Sequence, residues 1–191
     1  GCSGSNSVTV NVGNNLNVTT NTPAPICEGQ SATLSASGAD SYSWSPSTGL
    51  SATTGASVSA NPSQTTAYMV IGTSAGCVDT SYVTLVVNTP PTITNTGNVS
   101  MCAGTSVVLQ ATGASNLTWS PATGLDVTSG NLVNASPSQS TTYTIIGSSN
   151  GCSASSEVTV TVNNLPNVTA TAGTSICAGQ STNLTANGAL T

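Results

Sequence analysis

The chain has 191 residues and contains no lysine, arginine or histidine, against five aspartate and glutamate residues. Nucleic-acid binding and attachment to anionic membrane surfaces are excluded as functions, because both depend on basic side chains. No run of apolar residues reaches the length of a transmembrane helix, so we expect no membrane insertion in this stretch.

The first segment, residues 1–13, contains Val8, Val10 and Val12 separated by polar residues. This alternation is typical of a half-buried strand. Similar valine-rich alternation follows Cys77 and Cys152. We therefore expect residues 1–13 to be the C-terminal strand of a preceding repeat.

Two series of cysteines reveal an internal repeat of 75 residues: Cys2, Cys77 and Cys152, and Cys27, Cys102 and Cys177. A fixed period is typical of a repeat architecture. The gapless alignment places "SWSPSTGL" on "TWSPATGL" and "PSQTTAYMVIG" on "PSQSTTYTIIG". The sequence therefore predicts whole repeats at 14–88 and 89–163, and the N-terminal part of a following repeat at 164–191.

Within the first repeat, short apolar–polar segments separated by turn residues predict strands, and no segment has a helical period. The expected strands lie near 16–21, 31–37, 41–45, 56–60, 65–72 and 78–88. Such spacing favours an all-β fold, an elongated array of tandem immunoglobulin-like β-sandwiches.

Four of the six aromatic residues and two leucines are the expected core of the two sandwiches. Trp44 would fill the core from the third strand, and Tyr68 would begin the penultimate strand as a corner tyrosine. The expected core comprises Trp44, Trp119, Tyr68, Tyr143, Leu34 and Leu109. Tyr42 and Tyr82 align with Leu117 and Glu157 and are expected at variable surface or edge positions.

We expect no enzymatic activity, no cofactor and no metal site. A serine nucleophile has no histidine or lysine as a base, and an oxyanion has no cationic group. The five carboxylates do not recur between the repeats, and a hydrolase or calcium site would need them gathered. The cysteines lack histidine partners for zinc, so disulfides are their expected role.

Paired cysteines in small β repeats indicate an oxidising compartment, so we expect an extracellular or cell-surface location. One pairing joins Cys27 to Cys77 and Cys102 to Cys152, within each repeat. The other joins Cys27 to Cys152, between repeats. In that pairing Cys102 would reach forward to a cysteine beyond this sequence and Cys77 backward to one before it, and Cys2 and Cys177 would pair outside the sequence or with neighbours. An immunoglobulin-like topology places Cys27 and Cys77 at opposite ends of the sandwich, which slightly favours the second pairing.

Six asparagines lie in N-x-S/T sequons and are candidate glycosylation sites: Asn17, Asn98, Asn116, Asn134, Asn167 and Asn183. Glycans would hydrate a surface that carries very little charge. No lysine is available to guard the edge strands of a sandwich. We therefore expect bulges, prolines or glycans at the edges, or lateral self-association into a fibre.

The patterns "CxGxSxxLxAxGAxxxxWSPxTGL", "PSQxTxYxxxG" and "GC" followed by alternating valines resemble the immunoglobulin-like repeats of Bacteroidota surface proteins. Such repeats stack in long secreted adhesins, including the gliding-motility type, and also occur in secreted enzymes. The resemblance implies a sandwich repeat and export to the cell surface.

The leading functional hypothesis is a structural stalk or fibre segment of a long secreted bacterial adhesin, stiffened by disulfides. Its partners would be further copies of the repeat in the same chain. One alternative is a carbohydrate- or surface-binding module that uses the loops Pro46–Gly55 and Pro121–Gly130. Another is a passive spacer in a secreted enzyme.

Overall fold

The computed structural model of the chain describes residues 1–9 and 15–188. These residues form strands, turns and loops, with no helix in either range. The chain divides into two compact units. The first comprises Gly1–Pro91 with Ser148–Ser153, and the second comprises Thr92–Gly147 with Ala154–Thr191.

The first unit is a β-sandwich of short, mostly antiparallel strands. Its strands are β1 (Thr19–Thr20), β2 (Ile26–Cys27), β3 (Ala32–Ser37), β4 (Ser41–Ser45), β5 (Ser57–Ala60), β6 (Thr66–Ser74), β7 (Cys77–Leu85) and β8 (Val87–Asn88). One sheet has the order β1–β3–β5 and the other β4–β6–β7, while β2 pairs with β8 in parallel. The predicted all-β, immunoglobulin-like sandwich is confirmed.

Side-chain alternation explains why these segments pair as sheets around a core. In β4 the side chains of Tyr42 and Trp44 are buried, while Ser41, Ser43 and Ser45, which alternate with them, are exposed. In β6 the alternation buries Tyr68 and Val70. Leu34 of β3 packs in the same cluster from the other sheet. Burying these side chains removes apolar surface from water, which is the main stabilising contribution.

The described residues after Pro91 form a second set of strands around a core cluster of their own. These strands are β9 (Thr94–Asn95), β10 (Val99–Cys102), β11 (Val107–Thr112), β12 (Asn116–Ser120), β13 (Leu132–Ala135), β14 (Thr141–Ser149), β15 (Cys152–Asn163), β16 (Thr169–Ala170) and β17 (Ala186–Asn187). The sheets have the orders β13–β11–β9, β10–β15–β14–β12 and β16–β17. Trp119, Tyr143 and Leu109 lie in the core cluster of this unit.

The first strand pair has the same register in three places along the chain. Thr19 lies opposite Ser37, Thr94 opposite Thr112, and Thr169 opposite Asn187. Each pair is followed by a glycine with positive φ: Gly38 (101°), Gly113 (104°) and Gly188 (107°). A Cβ atom at any of the three would overlap a backbone carbonyl oxygen, that of Asn17, Thr92 or Asn167. The turn therefore requires glycine both for its positive φ and because there is no space for a Cβ atom.

A loop covers the outer edge of β4. The backbone N–H of Trp44 donates to the carbonyl oxygen of Thr53 at 2.8 Å, and Ser43 forms a β-bridge with Thr54. The corresponding edge of β12 has the bridge Thr118–Ser129. Covering an edge with a loop blocks its pairing with another chain. The first unit thus protects this edge with its own backbone.

Residues 1–9 form no strand, and the Val8 side chain is 89% exposed, while Val10 and Val12 lie outside the described residues. The assignment of residues 1–13 to a preceding repeat therefore stays a prediction. The expectation for Tyr42 is wrong. Tyr42 is a core residue rather than a surface residue, and its hydroxyl oxygen accepts the N–H of Ala39 at 2.8 Å. Tyr82 is exposed, as expected.

Candidate functional site

The parallel pair β2–β8 fixes the position of Cys27 in the first unit. Cys27 lies opposite Asn88, and Cys77 precedes Asn88 by 11 residues at the start of β7. At a rise of about 3.3 Å per residue, Cys27 and Cys77 are roughly 35 Å apart. A disulfide needs Cα atoms within about 7 Å. A Cys27–Cys77 bond is therefore incompatible with this fold.

Cys27 instead forms a disulfide with Cys152, with Cα atoms 5.6 Å apart and a sequence separation of 125. Both cysteines belong to the first unit, which includes the tip of the β14–β15 hairpin. The side-chain amide of Asn88 donates to the carbonyl oxygen of Asn150 in the same tip at 2.9 Å. The hairpin tip is thus held by one covalent bond and one hydrogen bond. We call this set of residues, Cys27, Asn88 and the tip 150–152, the clasp.

The turn in the clasp has a backbone that suits its sequence. Asn150 and Gly151 have φ values of 51° and 78°, and they connect β14 to β15. A two-residue hairpin loop with two positive φ angles favours Asn-Gly. Ala75 and Gly76 take the same conformation in the first repeat, with φ values of 47° and 82°. Both turns place a cysteine at the first position of the following strand.

Four cysteines are free thiols: Cys2, Cys102 and Cys177, which are exposed, and Cys77, which is half-buried. Cys102 lies opposite Asn163 in the parallel pair β10–β15, as Cys27 lies opposite Asn88. The backbone N–H of Ala103 donates to the Asn163 carbonyl oxygen at 2.8 Å, which matches the bond from Glu28 to Asn88 at 3.0 Å. The backbone around Cys102 and Asn163 therefore has the same arrangement as the backbone around Cys27 and Asn88 in the clasp.

The tryptophans are not available for stacking on a sugar. Trp44 and Trp119 are 2% and 3% exposed. Their indole N–H groups donate to the carbonyl oxygens of Gly55 and Gly130, both at 2.9 Å. Each indole therefore packs in the core and fastens the end of the long loop that was the candidate for carbohydrate binding.

The core tyrosines bind the same loops near their N-terminal ends. The hydroxyl of Tyr68 donates to the carbonyl oxygen of Thr48 at 2.7 Å, and that of Tyr143 to Thr123 at 2.8 Å. The expected corner tyrosine is a misassignment, because each partner lies 20 residues upstream rather than a few. Burial raises the pKa of both phenols above the ordinary value of 10.0.

Two of the carboxylates, Asp79 and Asp126, accept hydrogen bonds from the backbone. Asp79 accepts the N–H of Val18 at 2.7 Å, and the backbone bonds from Val18 and Thr80 hold the pKa of its carboxyl below 3.8. Asp126 accepts the N–H groups of Val127 at 2.7 Å and Asn134 at 2.8 Å. In the described residues no group of three or more histidine, cysteine, aspartate or glutamate side chains is placed to hold a metal ion.

The six sequon asparagines are all exposed. Asn98 is engaged, because its side-chain oxygen accepts the N–H of Thr159 at 2.9 Å. Within residues 1–9 and 15–188, no helix is long and apolar enough to cross a membrane.

No protein-family model and no curated protein matches the sequence. Among solved structures, the chain is similar to an I-band fragment of titin, with 16% identity over 78% of this chain and 66% of that one and a TM-score of 0.46. It is also similar to immunoglobulin domains 1–4 of Sidekick-1, with 16% identity, coverages of 78% and 49% and a TM-score of 0.43. The insect immune protein hemolin matches with 16% identity, coverages of 76% and 46% and a TM-score of 0.42. This chain spans less than two thirds of the length of each of these structures.

Proposed function

We propose that the chain is a structural segment, a spacer of tandem immunoglobulin-like repeats at 14–88 and 89–163 in a long secreted surface adhesin or fibre. The bond between Cys27 and Cys152 carries this proposal. It joins a cysteine of the first sequence repeat to a cysteine of the second. A covalent link between successive repeats serves a molecule that transmits force and has no obvious use in a small-molecule binding site.

The link limits how far the chain can be extended. Residues 27 and 152 are 125 positions apart, so the whole segment between them is closed into one loop. An extended chain spans about 3.5 Å per residue, so the disulfide withholds about 440 Å of contour length. Closing such a loop also lowers the entropy of the unfolded chain, which stabilises the fold by about 5 kcal/mol in the chain-entropy description.

The chemistry of the chain supports an extracellular setting for this role. Disulfides form and persist in oxidising compartments. The absence of lysine and arginine removes every cleavage site for trypsin-like proteases. The resemblance to Bacteroidota surface repeats supports the same location and suggests the adhesin as the parent molecule.

Force spectroscopy on the full chain tests the proposal. We expect the oxidised wild type, pulled by its termini, to extend about 440 Å less than the Cys27→Ser variant, and to recover that length when a reductant is added. Cys102→Ser is the matched control, since it removes a free thiol, and it should behave like the wild type. Equal extension of the oxidised wild type and Cys27→Ser would contradict the proposal.

Carbohydrate binding by the long loops is the weaker hypothesis. Trp44 and Trp119 are buried, and their indoles and the two core tyrosines hold these loops by hydrogen bonds. A binding surface there would have to be built from small, nearly neutral side chains. Glycan-array binding that is lost on replacing the loop Pro46–Gly55, with the fold intact, would reverse this preference.

A further inference from the structure

A groove separates residues 20–23 from the outer edge of β7 at residues 82–84. β7 is an edge strand, because its sheet has the order β4–β6–β7. The residues on either side of the tight turn between β6 and β7 exchange hydrogen bonds, so every second residue from Val78 onwards directs its backbone groups away from β6. One wall of the groove therefore carries the outward backbone groups of Tyr82 and Thr84. We call it the edge groove.

Bonds from the N-terminal segment cover the edge of β7 on both sides of the edge groove. The Thr20 hydroxyl donates to the Tyr82 carbonyl oxygen at 3.2 Å, and the N–H of Ile26 donates to the Val86 carbonyl oxygen at 3.0 Å. Six residue steps lead from Thr20 to Ile26, whereas four lead from Tyr82 to Val86. Because the N-terminal segment is longer than the edge that it follows, it bows away from β7 and leaves the groove.

The second repeat closes the same place with a side chain. At the 75-residue period Asn98 corresponds to Pro23, and Thr159 corresponds to Thr84. The side-chain oxygen of Asn98 accepts the N–H of Thr159 at 2.9 Å. The second repeat thus shows that an oxygen atom fits on the outward N–H at this position.

Two prolines prevent this closure in the first repeat. Pro23 has no side-chain oxygen for the Thr84 N–H, and Pro25 has no N–H for a strand ladder. The parallel pair accordingly joins two residues of β2 to β8 in the first repeat, against four residues of β10 to β15 in the second. Among the described residues, the Thr84 N–H has no acceptor.

An aromatic ring lies at the same groove. The Tyr82 side chain is 69% exposed, and the hydroxyl-bearing residues Thr22 and Thr84 beside it are exposed as well. Glu157 takes the place of Tyr82 in the second repeat, so the combination of a ring and an open N–H belongs to the first repeat. A ring face offers an apolar surface for stacking, and the open N–H and the hydroxyls offer hydrogen bonds.

We propose that the edge groove binds a neutral pyranose unit. The C–H face of the sugar stacks on the Tyr82 ring, and a sugar oxygen accepts the Thr84 N–H as Asn98 accepts that of Thr159. A neutral sugar is favoured because the chain has no cationic side chain to pair with a carboxylate or sulfate and carries a net charge of −5. The groove volume is about 220 Å³, below the roughly 300–1,000 Å³ of pockets for drug-sized ligands, so it suits a single ring.

An added β-strand is the other ligand that an open sheet edge can take. A strand needs a row of free backbone groups, but the carbonyl oxygens of Tyr82 and Val86 already accept bonds from the N-terminal segment. Of residues 83–85, which lie between them, Thr84 alone directs its backbone groups outward. This opening is shorter than the roughly three residues of the shortest strands, which favours the sugar.

Titration of the full chain with methyl β-D-glucopyranoside and methyl β-D-galactopyranoside, followed by NMR, tests the proposal. We expect a millimolar Kd for at least one of them, saturation transfer to the sugar C–H protons, and a shifted Thr84 backbone amide. The anionic methyl β-D-glucopyranosiduronate should bind more weakly than the neutral glucoside. No shift at Thr84 with either sugar, equal binding of the anionic analogue, or a Thr84 shift only with a peptide of the sequence of residues 157–163 would overturn the proposal.

Two variants separate the contributions of the ring and the N–H. Tyr82→Ala should weaken sugar binding at least about tenfold, because the stacking surface is lost. Pro23→Asn should weaken it about fivefold, because the new amide oxygen occupies the Thr84 N–H as in the second repeat. Val78→Thr is the control, since it changes an exposed residue of β7 outside the groove and should leave the Kd unchanged.

An unchanged Kd in Tyr82→Ala would overturn the site, and an unchanged Kd in Pro23→Asn would overturn the role of the Thr84 N–H. Because the amide spectrum reports the fold of each variant in the same experiment, a loss of binding through unfolding is recognised directly. All variants keep Cys27 and Cys152, so the outcome is independent of the force-extension test of the spacer function.

Discussion

The indole N–H of Trp44 donates to the carbonyl oxygen of Gly55 at 2.9 Å, and this bond connects the hydrophobic core to the loop that covers the edge of β4. Gly55 also donates its backbone N–H to the Tyr42 carbonyl oxygen at 3.3 Å. Gly55 is therefore held both by the indole of the core residue Trp44 and by the backbone of β4. It connects the core of the first unit to the loop that covers the edge of β4.

Trp44→Phe should destabilise the first unit by about 2 kcal/mol. The smaller ring leaves unfilled volume in the core, and the Gly55 carbonyl oxygen loses its donor. Urea unfolding followed by circular dichroism measures the change, and the fluorescence of the remaining Trp119 reports the second unit separately. Trp119→Phe should give the mirror result, with the first unit unchanged. Unshifted transitions in both variants would show that the indole contacts contribute little.

Deprotonation of Tyr68 should destabilise the fold at alkaline pH. Its pKa is raised by burial above the ordinary 10.0, so the folded state binds a proton that the unfolded state has already lost at that pH. The resulting stability is complete below the ordinary pKa and is lost as the pH rises through the folded pKa. Unfolding should therefore accompany phenolate absorbance at high pH, and Tyr68→Phe should reduce the slope of stability against pH in that range.

The control for Tyr68→Phe is Tyr82→Phe, since the Tyr82 side chain is 69% exposed. Tyr68→Phe should also lower the stability at neutral pH by about 1 kcal/mol, because the Thr48 carbonyl oxygen loses its hydrogen bond. Tyr82→Phe should leave the neutral-pH stability unchanged. If stability falls with pH at the same slope in Tyr68→Phe and in the wild type, Tyr68 is not the cause of the alkaline loss of stability.

Gly38→Ala should lower the free energy of unfolding more than Gly29→Ala, although both glycines have positive φ, 101° and 84°. At Gly29 nothing lies within 4 Å of an added Cβ, so only the backbone strain of about 1 kcal/mol applies. At Gly38 the Cβ would also overlap the carbonyl oxygen of Asn17. We expect a loss of about 3 kcal/mol or more for Gly38→Ala, measured by thermal unfolding. Equal losses would indicate that the Asn17 backbone moves aside freely.

The sequence predicts the fold well where alternation is long enough to detect. The predicted segments at 31–37, 41–45, 56–60 and 65–72 agree with β3 to β6 to within a residue or two. The sequence does not predict β2, because a two-residue parallel pair has no period. The alignment of Tyr42 with Leu117 predicts a variable surface position, yet both side chains are buried.

The site was less predictable, because it depends on pairings between distant residues. The spacing of the cysteines is equally compatible with bonds within and between repeats. The direction of β2 relative to β8 separates the alternatives, since it sets Cys27 far from Cys77 and beside the Asn150 tip. The roles of Trp44 and Tyr68 in fastening a loop likewise come from hydrogen bonds over 11 and 20 residues, which no local pattern encodes.

Ala75→Asn should stabilise the first unit by several tenths of a kcal/mol. Ala75 has a φ of 47°, in the left-handed region that asparagine adopts more readily than alanine. The second repeat has Asn150 with a φ of 51° at the corresponding place, so Asn150→Ala is the reciprocal variant and should destabilise its hairpin by a similar amount. Chemical denaturation of both variants measures the two shifts. Because the Asn150 carbonyl oxygen, and not its side chain, accepts the bond from Asn88, the clasp should keep its disulfide in Asn150→Ala. Shifts of the same sign in the two variants would show that the turn conformation does not govern the preference.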